Sequence, residues 1–228
     1  MIIEKFKYEC KIWHIGAKMD RNLALEFARI TEAAAIACAR WMGQADKIKA
    51  DKAAVDAMRK RFNYVDFNGK VVIGEGEKDE APMLYVGEQL GTKNGPEMDI
   101  AVDPLECTSN LAKGKPNAIS VLAAGPKGSL LNAPGSYMDQ LAVGPEAKGV
   151  IDIKAPIKDN LKNIAKALKK DIEDLTVIIL ERDRHKDTIR QIREAGARIR
   201  LIEHGTVSAG IAPAMPNSGI DVMMGIGG

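Results

Sequence analysis

Two acidic stretches of this 228-residue chain carry side chains that could do chemistry. In each, a short apolar run leads into carboxylates: residues 70–73 precede Glu75, and residues 100–102 precede Asp103 and Glu106. Such runs predict buried strands, and the ligand crevices of α/β sheets lie beyond strand ends. Carboxylates that converge there repel one another, and a bound hard cation such as Mg²⁺ or Mn²⁺ relieves the repulsion because these ions prefer oxygen ligands. The pattern therefore predicts a metal site.

The second stretch also predicts a phosphate site beside the metal. Pro104 is expected to fix a turn after Asp103, and Thr108 stands where a helix would begin, next to free backbone N–H groups that suit a phosphate. The alternative is an ordinary solvated loop, since Asp, Pro and Thr are also common in turns and at helix starts. Two acidic clusters, each closing an apolar strand, favour the metal-and-phosphate interpretation.

Three further side chains could join this site. Asp51 lies near the start of a predicted helix and is either another metal carboxylate or a partner of the helix dipole. Arg182 and Arg184 follow a predicted strand, where they could hold a phosphate with paired hydrogen bonds or remain solvated.

The positioning elements follow from apolar spacing. One helix is predicted from Asp20 to a stop at Gly43, and another from the apolar face at positions 54, 55, 58 and 62. Asn68-Gly69 predicts a tight hairpin turn. Further helices are predicted at 81–90, 159–168, 184–195 and 207–212, and strands at 117–124, 129–131, 176–180, 198–202 and 220–224. Their alternation predicts an α/β fold with a parallel layer and a subdomain boundary near 150–157.

Composition narrows the function classes. The chain is 46% hydrophobic and 28% charged with a net charge of +2, which is typical of a soluble globular protein and implies neither a nucleic-acid nor a membrane partner. No apolar run is long enough to span a bilayer. The three cysteines have no zinc-site spacing, and a reduced cytoplasmic setting is expected. Residues 1–18 lack the pattern of a signal peptide and form an extension of unclear order.

Four motifs carry a resemblance to a known family. They are GQADKIKAD at 43–51, IGEGEKDEAPMLY at 73–85, DIAVDPLE at 99–106, and NAP at 132–134 followed by YM at 137–138. With them the chain resembles, from residue 19 to 228, the class II fructose-1,6-bisphosphatases of the GlpX type, within the lithium-sensitive sugar and inositol phosphatase superfamily. The resemblance implies a layered αβαβα sugar-phosphatase fold, incomplete at the C-terminus, with a metal-and-phosphate subdomain at 19–154 and a partial α/β subdomain at 155–228.

The resemblance also implies a reaction and a set of site residues. The reaction is metal-dependent hydrolysis of the 1-phosphate of fructose 1,6-bisphosphate to fructose 6-phosphate, with Mn²⁺ or Mg²⁺ as cofactor. The implied metal ligands are Asp51, Glu75, Asp103 and Glu106. Lys47 would lie at the edge of the site, and Thr108 would help to position the attacking water. The implied sugar-phosphate contacts are Glu106, Thr108, Tyr137, Arg182, Arg184, His204 and Thr206.

The same resemblance carries expectations about context. It implies a cytoplasmic enzyme of gluconeogenesis and glycerol metabolism that acts on a sugar bisphosphate and is a homo-oligomer. The family pattern continues beyond the last residues of this sequence with a further metal carboxylate. We therefore expect a C-terminally truncated member, weakly active or inactive.

Several residues depart from the family pattern. Cys107 replaces a glycine, which costs roughly 1 kcal/mol or more if the position needs a positive φ. Lys52 also replaces a glycine, Arg182 stands where lysine is common, and His204 and Thr206 replace two aspartates. These changes keep open a sedoheptulose or inositol phosphatase, or an inactive fragment that binds metal, sugar phosphate or a full-length paralogue.

Overall fold

The computed structural model describes residues 21–76, 83–131 and 136–227. These form six α-helices and two four-stranded sheets joined by short 3₁₀ turns. The helices are α1 (Arg21–Ala39), α2 (Lys47–Phe62), α3 (Thr108–Ala112), α4 (Ile157–Leu168), α5 (Lys186–Glu194) and α6 (Thr206–Ile211). The strands are β1 (Asn68–Ile73), β2 (Gln89–Leu90), β3 (Glu97–Glu106), β4 (Ile119–Pro126), β5 (Met138–Val143), β6 (Thr176–Leu180), β7 (Arg198–Ile202) and β8 (Val222–Gly227).

The first sheet has the strand order β2-β1-β3-β4, with β1 and β3 parallel and the other pairs antiparallel. Helices α1 and α2 cover one face through the apolar positions that define their helical periodicity. Three buried aromatic rings fill this core: Phe27 meets Phe67 edge-on at 5.2 Å between ring centroids, and Phe62 lies 5.9 Å from Phe67. Helix α2 begins after Asp46, whose carboxylate accepts the Lys49 N–H at 3.0 Å.

The second sheet has the order β5-β8-β6-β7, and β6 runs parallel to both of its neighbours. Helices α4 and α5 cover one face, with Leu161, Ile164 and Ile192 fully buried. On the other face, Ala209 of α6 packs with Ile178 and Met223. Because helices cover both faces, strand β6 is almost entirely apolar, as expected of a parallel strand inside a sheet.

Helix α6 lies between the two sheets. Its Val207 shares a cleft with Val121 and Ala123 of β4, on the side of the first sheet away from α1 and α2. The layers therefore run from α1 and α2 through the first sheet, α6 and the second sheet to α4 and α5. The predicted α/β class is confirmed. Strand β5 precedes the predicted boundary near 150–157 yet pairs with β8, so the two sheets separate between β4 and β5. The subdomain assignment stays a prediction.

The predicted hairpin at Asn68-Gly69 is wrong. Both residues open β1, where Gly69 lies opposite Leu90 of β2 and the Asn68 N–H donates to the Pro96 carbonyl at 2.9 Å. A Cβ on Gly69 would stand 2.2 Å from the Phe67 ring, so this glycine allows close packing rather than a turn.

Three other local predictions also fail. Residues 83–90 are not helical but form a turn that leads into β2. Helix α1 ends at Ala39, before the predicted stop, and Gly43 donates its N–H to the Leu111 carbonyl at 2.9 Å. Residues 129–131 do not return as a strand, since the buried Asp99 carboxylate accepts the N–H groups of Gly128 and Leu130 at 2.7 and 3.3 Å.

Some predictions fall outside the described residues. These are the 1–18 extension, the Asp20 helix start, residues 77–82 of the first acidic stretch and the motif at 132–134. In the part of the chain that the structure describes, none of the helices has the length and apolar character needed to cross a membrane.

Candidate metal and phosphate site

Four carboxylates from three elements line one cleft of about 630 Å³, called here the acidic cleft. Asp51 comes from α2, Glu75 follows β1, and Asp103 and Glu106 lie in β3. Strand β3 continues through Pro104 to Glu106 with an irregular register, and the turn predicted after Asp103 takes the form of an Asx-turn within the strand. In this turn the Asp103 side chain lies against its own backbone, where Oδ1 accepts the Leu105 N–H at 3.1 Å.

These carboxylates disturb one another's protonation. Burial, then the carboxylates of Asp51 and Asp103, raise the pKa of Glu75 to about 7. Burial, then Glu106, raise the pKa of Asp103 to about 6, although the Leu105 N–H acts in the opposite direction. Burial also raises the pKa of Asp51. Each shift disfavours the charged form, and a cation in the cleft would favour it.

The donor set fits a hard divalent cation. All four side chains offer carboxylate oxygens, the ligands that Mg²⁺ and Mn²⁺ prefer. Within residues 21–76, 83–131 and 136–227, however, no three His, Cys, Asp or Glu side chains already stand in a ligating arrangement. Mutual repulsion favours this spacing, so binding an ion requires the carboxylates to draw together.

These shifts predict a pH-dependent stability of the metal-free chain. An acid whose pKa is higher in the folded than in the unfolded state makes the folded chain less stable as pH rises between the two values. In EDTA, the free energy of unfolding from urea titrations should therefore fall between pH 5 and pH 8. After a discount for the partial solvent exposure of Glu75, the fall is on the order of 1–2 kcal/mol.

Glu75→Gln is the matched comparison for that measurement, since it removes the titrating group and should flatten the pH dependence. The test is the difference between the pH slopes of the two proteins. Burial and Arg182 lower the pKa of His204, so titration of His204 makes both folded proteins more stable as pH rises over the same range. Equal slopes for both proteins would contradict the prediction.

A second pocket, of about 260 Å³ and called here the cationic pocket, contains the predicted sugar-phosphate residues Tyr137, Arg182, Arg184, His204 and Thr206. The Arg184 guanidinium lies over the Tyr137 ring at 4.9 Å and donates its Nε–H to the Ile226 carbonyl at 2.9 Å. Arg182 donates to the backbone carbonyls of Glu181 and Glu203, and these two hydrogen bonds hold its guanidinium group in place.

The arginine-bearing loop is tied to the end of β8 by a buried histidine. His185 contacts the Leu180 carbonyl through Nδ1 at 2.8 Å and accepts the Ile226 N–H on Nε2 at 2.8 Å. Because Leu180 ends β6 and Ile226 lies in β8, this ring joins the two strand ends that flank the cationic pocket.

Glu106 and Cys107 line both the acidic cleft and the cationic pocket. The Cys107 thiol donates to Glu106 Oε2 at 3.0 Å. It also lies close to Gly205, which precedes α6, because a Cβ added to this glycine would stand 3.2 Å from the sulfur. Burial, then the hydrogen bond to Glu106, raise the pKa of this thiol. Nearby, Lys115 pairs with Glu203 at 2.6 Å. The two halves of the fold thus meet at this place, called here the junction.

Lys47 and Thr108 line a neighbouring cleft together with Asp51 and Glu75. Thr108 is the first residue of α3, and its hydroxyl donates to the Leu105 carbonyl at 3.1 Å. Sequence reasoning missed Ser109, which lines the same cleft. Its position directly after Thr108 gave no clear signal, because successive residues of a helix point to different sides.

Cys107 adopts the left-handed conformation that suits the glycine of the family pattern, with φ 70° and ψ 46°. We therefore expect Cys107→Gly to be more stable than Cys107→Ala by about 1 kcal/mol, because both lose the thiol and only alanine keeps the backbone strain. Urea denaturation of the two variants measures the difference. An alanine variant as stable as the glycine variant would show that φ is not strained here.

The fold and the cleft define an α/β protein in which an acidic cleft adjoins a pocket lined by arginine side chains. Residues 21–228 match the family model described as bacterial fructose-1,6-bisphosphatase, glpX-encoded, and the chain belongs to this family. It is 53% identical over 210 residues to fructose-1,6-bisphosphatase 1 class 2 of Escherichia coli (strain K12), covering 92% of this chain and 62% of that protein.

A second relative carries a broader name. The chain is 49% identical over 221 residues to the D-fructose 1,6-bisphosphatase class 2/sedoheptulose 1,7-bisphosphatase of Synechococcus sp. (strain JA-2-3B'a(2-13)). That match covers 92% of this chain and 64% of the relative. The chain thus spans somewhat under two thirds of the length of these curated relatives.

Proposed function

We propose that this chain carries out metal-dependent hydrolysis of the 1-phosphate of fructose 1,6-bisphosphate, giving fructose 6-phosphate. The observation that supports this most directly is the sharing of Glu106 and Cys107 by the acidic cleft and the cationic pocket. A sugar with a phosphate at each end fits that arrangement, because one phosphate reaches the carboxylate side and the other reaches the arginines. Family membership supports the same substrate.

In this proposal the carboxylates of Asp51, Glu75, Asp103 and Glu106 hold Mn²⁺ or Mg²⁺. A divalent ion bound there would lower the pKa of water and stabilise charge on the leaving oxygen. The Thr108 hydroxyl, held by the Leu105 carbonyl, positions the attacking water, and Lys47 supplies positive charge at the edge of the site. Phosphoryl transfer requires mainly such positioning and electrostatic stabilisation.

The remaining residues orient the sugar. Arg184, stacked on Tyr137, and Arg182, fixed by two backbone carbonyls, hold the distal phosphate with charge-assisted hydrogen bonds. His204 and Thr206 face the same pocket and contact sugar hydroxyls. Manganese or magnesium as the ion, a homo-oligomeric assembly, a cytoplasmic location and a role in gluconeogenesis and glycerol metabolism belong to the same proposal.

The test is phosphate release from fructose 1,6-bisphosphate with Mn²⁺ or Mg²⁺, with and without EDTA, by wild type and Cys107→Gly. We expect slow release that depends on metal and yields fructose 6-phosphate, identified by ³¹P NMR. If neither folded protein releases phosphate, hydrolysis is contradicted, and binding of metal, sugar phosphate or a full-length paralogue is the role to test next.

Sedoheptulose 1,7-bisphosphate is a second candidate substrate, favoured by the name of the Synechococcus relative. His204 and Thr206 stand where the family pattern has two aspartates, so the sugar-facing wall differs from that pattern. Comparing kcat/KM on the two bisphosphates and on an inositol monophosphate distinguishes the specificities.

A further inference from the structure

An ion pair between a buried carboxylate and a partly exposed arginine lies near the acidic cleft without lining it. Glu88 is 6% exposed and precedes β2. Its Oε1 accepts the Arg59 Nε–H at 2.7 Å, and its Oε2 accepts the backbone N–H of Leu84. Neither Arg59 nor Glu88 lines the acidic cleft or the cationic pocket.

The residue that Glu88 holds is in an unusual conformation. Leu84 is fully buried with a φ of 58°, which is a genuine outlier for a bulky side chain. Such strain persists only where the surroundings enforce it, and it concentrates at functional sites. Here the enforcing contacts are the Glu88 carboxylate on the Leu84 N–H and a hydrogen bond on its carbonyl.

The donor to that carbonyl is the backbone N–H of Glu75, at 3.0 Å. A Cβ on the preceding Gly74 would stand 2.1 Å from the Leu84 oxygen, so this close approach requires glycine there. A continuous chain of hydrogen bonds thus runs from Arg59 through Glu88 and Leu84 to the backbone of Glu75.

We propose that Glu88 and Arg59 are positioning residues that fix the backbone of Glu75, and so its carboxylate, for metal binding; this inference rests on the proposed function. Glu75 lies two residues beyond Ile73, the last residue of β1, and needs an anchor outside the strand. The ion pair provides that anchor from α2, the helix that also carries Asp51. Helix α2 therefore positions two of the four candidate ligands, Asp51 directly and Glu75 through the ion pair.

An ion pair of this kind can also serve the fold alone, and the chain offers a matched control. Arg61, two residues from Arg59 on α2, pairs with Glu26 of α1 at 3.1 Å and touches no part of the acidic cleft. Glu88→Gln keeps an acceptor for the Leu84 N–H but loses the charge. Arg59→Met keeps the aliphatic stem and is the gentler variant, because Arg59 is partly exposed.

The experiment measures Mn²⁺ affinity by titration calorimetry on the full chain and, without metal, the exchange rate of the Glu75 amide proton by NMR. We expect Glu88→Gln and Arg59→Met to weaken Mn²⁺ binding about tenfold, as is typical when an outer-shell partner of a ligand is removed. The Glu75 amide should exchange faster in both. Arg61→Met and Glu26→Gln should leave both quantities at wild-type values.

A purely structural pair gives a different result. If Arg59→Met and Arg61→Met lower the unfolding temperature but leave Mn²⁺ affinity and Glu75 exchange unchanged, the positioning role is wrong while the proposed metal site stands. If wild type binds neither Mn²⁺ nor Mg²⁺, the proposed function fails, and the amide exchange rates alone decide whether Glu88 and Arg59 anchor Glu75.

Discussion

Asp103→Asn is expected to lower metal-dependent phosphate release from fructose 1,6-bisphosphate by about 10³-fold or more, since a metal-held transition state is worth several kcal/mol. Asp103 shares the acidic cleft with the other three carboxylates and raises the pKa of Glu75. Asparagine keeps Oδ1 as acceptor for the Leu105 N–H, so the local backbone should survive. Steady-state kinetics at saturating Mn²⁺ measure the effect.

The control for this substitution is Asp171→Asn, which removes an exposed carboxylate that makes no capping hydrogen bond at the start of a short helical turn. It should leave turnover unchanged. Mn²⁺ titration supplies a readout independent of turnover, and the Asp103 variant should bind the ion at least tenfold more weakly. Undiminished turnover and Mn²⁺ affinity in Asp103→Asn would remove this residue from the metal site.

Arg184→Met should raise KM for fructose 1,6-bisphosphate about 10- to 100-fold, because a hydrogen bond to a charged group is worth about 1.5–3 kcal/mol. In the described residues Arg184 uses only Nε in hydrogen bonding, to Ile226, and its stacking on Tyr137 holds the plane of the guanidinium. The other nitrogens can therefore contact phosphate. Arg184→Lys should recover part of the loss, since it restores the charge but not the planar fork.

Arg190→Met is the matched control, as Arg190 is an exposed arginine whose partners are Asp187 and Glu194 on its own helix. It should leave KM unaltered. A fall in kcat with unchanged KM for Arg184→Met would place the arginine at the reacting phosphate instead of the distal one, and the assignment of the two pockets would have to be exchanged.

Secondary structure could be predicted from the sequence where the apolar pattern was strong. The apolar run at 176–180 is a strand with the predicted bounds, because a strand buried on both faces must be apolar throughout. The spacing that placed Asp51 on a helix also holds, since positions 54, 55, 58 and 62 are all buried against the first sheet. The predicted cleft and pocket residues lie together, while their roles remain proposals.

Local patterns failed where a tertiary contact decided the conformation. Asn68-Gly69 has the composition of a tight turn, but packing against the Phe67 ring makes it the start of a strand. The sequence at 81–90 favoured a helix, whereas residues 83–90 form a turn that leads into β2. The Glu88 carboxylate is buried and paired with Arg59, which lies 29 positions earlier in the chain, and no local sequence pattern encodes that partner.

Each sheet has a hydrophobic core of its own, and the candidate site lies at the junction where the two halves meet. A ligand that bridges the carboxylates of one half and the arginines of the other therefore opposes any hinge motion between them. By thermodynamic linkage, hinge opening weakens binding by the same factor by which binding suppresses opening. Affinity thus depends on the rigidity of the junction, and loosening the Lys115–Glu203 pair can change it without any contact to the ligand.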